Sequence, residues 1–111
     1  MAEQAERIFY RLVMTDPPTA IDFTSRQARG LPARGPEIAR PELHAGLSHY
    51  TTEDHARATA RRFPVIGNHI AAVRVTDGDP FRIEPTLGAG HVTIWGDPRD
   101  FLASVVEVVS G

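Results

Sequence analysis

The stretch Gly46-Leu47-Ser48-His49-Tyr50-Thr51-Thr52, running straight into residues 53–63 (Glu-Asp-His-Ala-Arg-Ala-Thr-Ala-Arg-Arg-Phe), decides how this chain is read. It has the pattern of a short strand that delivers polar side chains to the start of a helix. Side chains alternate between faces in extended chain, so Gly46, Ser48, Tyr50 and Thr52 share one face and Leu47, His49 and Thr51 the other. The first of these faces is mostly hydroxyls. At the end of a strand, beside amides that open a helix, hydroxyls suit a ribose or a phosphate, because both groups offer directional hydrogen bonds there. Ser48, Tyr50 and Thr52 are therefore candidate ligand-binding residues.

Working outward, Thr51 or Thr52 is expected to cap the helix, with Asp54 three residues after Thr51 as in a capping box. Ala56, Ala60 and Phe63 form its expected buried stripe, and Pro64 its stop. Upstream, residues 30–41 contain Leu31-Pro32-Ala33-Arg34-Gly35-Pro36, which reads as a mobile loop. Residues 19–29 fit a short helix ending at Gly30, with Ile21, Phe23 and Ala28 as buried positions. Residues 7–14 are rich in strand formers and run into Thr15-Asp16-Pro17-Pro18, which must leave the strand. Downstream, residues 69–75, 81–86, 91–95 and 104–109 read as strands, and Asp97-Pro98 opens a short helix reaching about residue 103. Five or six strands with two or three helices, grouped rather than alternating, predict a single α+β domain over residues 1–111 with a largely antiparallel sheet.

Composition narrows the chemistry. There is no cysteine, which removes disulfides, thiolate metal sites and cysteine nucleophiles. No apolar run is long enough to cross a bilayer, and the polar start Met1-Ala2-Glu3-Gln4-Ala5-Glu6-Arg7 lacks the apolar core of a secretory signal, so no membrane partner and a cytoplasmic location are expected. All basic side chains apart from histidine are arginine, and the net charge is −2. That balance has no footprint for polyphosphate strands, so Arg57, Arg61 and Arg62 read as a solvated helix face and no nucleic-acid partner is expected.

Two charged residues stand among apolar neighbours. Arg11 shares a strand face with Phe9 and Val13, and needs an anion or a set of acceptors if that face is packed, or a route to water along its stem if it lies at an edge. Glu107 shares a face with Val105 and Val109 in the last strand, and an Arg11–Glu107 ion pair would satisfy both if the two strands are neighbours. Five histidines, at 44, 49, 55, 69 and 91, show no helical metal-ligand spacing and no acidic cluster, so no metal is expected. His91 opens a strand beside a glycine-containing turn and is a candidate acid or base. Ser48 has no nucleophile-elbow context, and Leu87-Gly88-Ala89-Gly90 is too short for a dinucleotide fingerprint.

In the order of these elements the chain resembles the ADP-ribosyltransferase-like fold and its small RES-type members. The resemblance lies in a first strand with Tyr10-Arg11, a second of the form Gly-x-x-x-Tyr-x-Thr (residues 46–52), an alanine-bearing helix (Ala56, Ala58, Ala60) and a strand Ile70-Ala71-Ala72-Val73-Arg74-Val75. It covers most of the chain. It implies a split sheet and NAD or a related nucleotide as ligand, with Arg11 in the first-strand contact and Ser48 and Tyr50 supporting nicotinamide or its ribose. It also implies a late glutamate that promotes cleavage at the nicotinamide ribose. Glu84 and Glu107 are the late glutamates here, and His91 and Thr93 stand where that group is sought, which makes Glu107 and His91 the candidate catalytic residues. A non-catalytic module of the same fold, engaging a protein partner through a sheet edge or the loop at residues 30–41, is the alternative.

Overall fold

The computed structural model describes residues 6–110, which form an α+β domain built on one six-stranded antiparallel sheet. The strands are β1 (Glu6–Val13), β2 (Leu47–Tyr50), β3 (His69–Thr76), β4 (Arg82–Pro85), β5 (His91–Trp95) and β6 (Val105–Ser110). Their order across the sheet is β4-β5-β2-β1-β3-β6. Four helices accompany them: α1 (Pro36–Ala39), α2 (Pro41–His44), α3 (Glu53–Arg62) and α4 (Pro98–Ser104), with a 3₁₀ turn at Ala20–Phe23. None of the described helices is long and apolar enough to cross a membrane.

Both faces of the sheet are packed, and the alternation along each strand divides the apolar residues between them. Phe9, Val13, Ala71, Val73, Val92 and Ile94 point to the back face, where Phe23 and Phe101 close over them. On the front face Leu12 and Ile70 meet Ala56 and Ala60 of α3, with Tyr10, Tyr50 and Val109 packed alongside. Alanines let the helix axis approach the sheet closely. Thr52 is the N-cap of α3, its hydroxyl accepting from the His55 amide at 3.2 Å. His55 thus stands three residues after the cap, and the capping box expected from Thr51 and Asp54 does not form.

Several local expectations are corrected by what each backbone segment bonds to. The helix expected over residues 19–29 is a single 3₁₀ turn, because Asp22 turns back to accept from the amides of Met14 (2.8 Å) and Thr19 (2.9 Å). So short a turn buries Phe23 and leaves Ile21 and Ala28 exposed. The loop expected over residues 30–41 contains α1 and begins α2, each opened by a proline that has no amide to lose at the first helical position. Phe63 leaves the helical conformation (φ −134°, ψ 67°), so its ring falls out of the alanine stripe and is 47% exposed.

The β3–β6 register shifts between Ala72 and Val73: Ala72 pairs with Glu107, and Val73 with Val105. The extra residue on β6 reverses the alternation, so Val105 faces the back core while Glu107 lies on the front face with Val109. Between α3 and β3 the chain crosses the end of β1 at Gly67, where an added Cβ would lie 2.6 Å from the Val13 carbonyl oxygen. Backbone cannot yield as a side chain can. Gly67→Ala is expected to cost about 1–3 kcal/mol, read as a lowered urea midpoint with an unchanged m-value.

Candidate functional site

Strands β1 and β2 are bridged at one residue pair, Tyr10 with Tyr50. Beyond it the strands part, and a side chain replaces the backbone ladder. Arg11 Nη1 donates to the Ser48 carbonyl at 2.9 Å and Arg11 Nε to the Asp22 carbonyl at 2.7 Å, with the guanidinium 5.8 Å from the centre of the Phe23 ring. Arg11 thus ties β1, β2 and the 3₁₀ turn together across the gap. Burial pushes the guanidinium down to about 10, against the opposing pull of Asp22 and Tyr50, so it stays charged at neutral pH. Its hydrogen-bond partners are carbonyl dipoles, and the nearby Asp22 carboxylate offsets part of its charge.

The gap opens into a cleft of about 810 Å³ lined by Arg11, Ser48, Tyr50 and Thr93, with Leu87, Ile21 and the segment preceding α2 as walls. That size suits a nucleotide-scale ligand. Ser48 is directly opposite Thr93 of β5, and Tyr50 opposite His91. Hydroxyls therefore continue from β2 onto β5, and then to Thr86, whose Oγ1 is 2.6 Å from Thr93 Oγ1. Gly46 lets the Thr93 and Trp95 side chains pack directly against the start of β2, since an added Cβ would collide with both.

His91 stands edge-on to Tyr50, ring centres 5.4 Å apart. Its Nδ1 is 3.0 Å from the Thr86 carbonyl oxygen, which only accepts, so Nδ1 carries the proton and Nε2 keeps its lone pair. Burial lowers its pKa, and the ring is neutral at pH 7. A neutral imidazole with a fixed tautomer is equipped to accept a proton. His49, on the opposite face, is fully buried beside Phe101 with Nε2 unpartnered.

Of the residues singled out from sequence, the structure brings Arg11, Ser48 and Tyr50 to one cleft and sets His91 beside Tyr50. Thr52 is engaged as the α3 cap and does not line the cleft. Glu107 is not brought to it either: it is exposed on edge strand β6, and β3 lies between β6 and β1. The Arg11–Glu107 ion pair is excluded by the same strand order. Glu84 pairs with Arg82 and Arg40 on edge strand β4. Among the described residues no cluster of histidine and acidic side chains has the arrangement of a metal site.

Two contributors escaped sequence reasoning. Thr86 lies in a turn whose alternation is broken, and no pattern marks it as the link between His91 and Thr93. Asp22 carried a signal, an acid three residues after Thr19, which announces a turn start but not its bond to the Met14 amide. No protein-family model matches the chain, and neither a curated protein nor a solved structure matches it.

Proposed function

We propose that this domain binds NAD or a related nucleotide in the β1–β2 cleft, as an ADP-ribosyltransferase-like module. The observation that carries the reading is the single bridge at Tyr10–Tyr50, beyond which a charged Arg11 reaches the Ser48 carbonyl and lines one cleft with Ser48, Tyr50 and Thr93. In this reading Arg11 meets the ligand's negative charge, the exposed Ser48 hydroxyl bonds a ribose, and the Tyr50 ring supports a planar base, while the Thr93 hydroxyl is held by Thr86. His91 does not line the cleft itself, so its Nε2 would take a proton only from a hydroxyl or water that reaches it past Tyr50. Cleavage at the nicotinamide ribose also calls for negative charge beside the developing cation. The two carboxylates that line the cleft are engaged, Asp22 by two amides and Glu37 by Arg26 and the Arg34 amide. That engagement favours the second reading, a module that binds without cleaving and acts through a protein partner.

Thermal unfolding with millimolar NAD tests the proposal. Ligand at ten times its Kd stabilises by about 1.4 kcal/mol, a rise on the order of 6 °C for a chain near 100 residues. Ser48→Ala, which removes the exposed ribose-facing hydroxyl, is expected to reduce that rise without lowering the unliganded midpoint, and Tyr50→Phe, which keeps the ring, is expected to preserve it. Arg11→Ala is the poorer probe, because it also strips the Asp22 and Ser48 carbonyls of their donor. An unchanged midpoint for the wild type removes the nucleotide reading. Nicotinamide release, followed by chromatography, separates the enzyme from the binding module.

A further inference from the structure

Charge is distributed unevenly along the cleft. Its lining includes four arginines (Arg11, Arg26, Arg29, Arg34) and two carboxylates (Asp22, Glu37), a local excess of two positive charges in a chain whose net charge is −2. The four arginines are not equivalent. Arg11 is held by two carbonyls, and Arg26 by Glu37 (3.4 Å) and the Pro32 carbonyl (2.7 Å). Arg29 and Arg34 have no ion pair and no side-chain hydrogen bond among the described residues, and both are exposed.

The backbone that carries them is anchored. Leu31 donates its amide to Arg26, its carbonyl oxygen lies 2.7 Å from His44 Nε2, and the Gln27 amide donates to the His44 carbonyl. Glu37 accepts from the Arg34 amide, which fixes where that side chain departs. Two unpaired guanidiniums on a tied segment that lines one cleft are free to meet paired anionic groups. The same cleft exposes Met14, Ile21, Val65 and Ile66, apolar surface suited to a flat base. An anion joined to a base is the chemistry the two parts share.

We propose that Arg29 and Arg34 form a diphosphate-binding site, so that the cleft recognises ligands by a diphosphate group and discriminates against nucleosides and monophosphates. This deepens the nucleotide reading and rests on it for the identity of the cleft, while the anion site has its own probe in inorganic pyrophosphate. Isothermal titration of the full chain at low salt with pyrophosphate, phosphate, ADP, AMP and NAD tests it. Pyrophosphate and ADP are expected to bind about tenfold or more tightly than phosphate and AMP, with affinity falling as salt rises. Arg29→Ala with Arg34→Ala is expected to abolish that preference and leave the unliganded unfolding midpoint unchanged, whereas Arg61→Ala with Arg62→Ala, on α3, keeps it. Equal affinity for ADP and AMP, or diphosphate binding that survives the Arg29/Arg34 double substitution, overturns the proposal. If NAD binds wild type and double variant alike, the diphosphate site falls and the nucleotide reading stands; if pyrophosphate binds through these arginines and NAD does not bind, the reverse holds.

Discussion

At about pH 5 the domain is expected to be less stable to urea than at pH 7.5 by roughly 2 kcal/mol, and His49→Phe is expected to remove most of that loss. His49 is fully buried, its Nδ1 bonded to the Leu47 carbonyl at 3.1 Å and its Nε2 without a partner. Burial, and next the nearby Arg11 charge, pushes its pKa down to about 3. The unfolded chain takes up a proton near pH 6.5 and the folded chain does not, so stability is full above that value and falls as pH drops toward 3. His91, also lowered by burial, adds a loss of the same sign. Glu42 and Asp97 are lowered by hydrogen bonds from backbone amides, and as carboxylates they contribute at lower pH.

His49→Phe keeps a ring stacked on Phe101 and discards the proton, and His49→Leu serves the same purpose in less volume. Urea midpoints at the two pH values decide the matter. Equal losses in wild type and both variants would show that another group governs the acid response.

The largest purely structural effect is expected from Phe101→Ala, a loss of about 3–5 kcal/mol in urea unfolding. Phe101 is wholly buried and lies within 4.6–5.5 Å of the ring centres of Phe81, Phe23 and His49. It is the residue by which α4 closes the back core. The effect should reach the cleft, because Phe23 anchors the 3₁₀ turn whose Asp22 carbonyl holds Arg11. Phe101→Leu is expected to recover about half the loss, since it refills much of the cavity. A loss below about 1 kcal/mol for Phe101→Ala would mean that the core collapses around the vacancy.

The fold was legible where one segment's own pattern sufficed. All six strands fall where alternation and turn residues put them, and the Asp97-Pro98 start of α4 is a local signal that its surroundings preserve. Helices at residues 20–44 were misread because their ends depend on Asp22, Glu37 and prolines acting in turns too short to show a 3.6-residue period. For the site, Ser48 and Tyr50 could be seen to share a face, and Arg11 to need acceptors. That those acceptors are the carbonyls of Asp22 and Ser48 could not be seen, since Ser48 is 37 residues away.

By itself, then, the sequence determined a hydroxyl-bearing strand leading into a capped helix, because side-chain alternation and end-capping are properties of a few consecutive residues. Only the tertiary structure decided that β1 and β2 meet at a single pair, that Arg11 spans the gap, and that β3 keeps Glu107 away from it. Strand order and the packing of both faces arise from contacts between distant segments, and no local pattern encodes them.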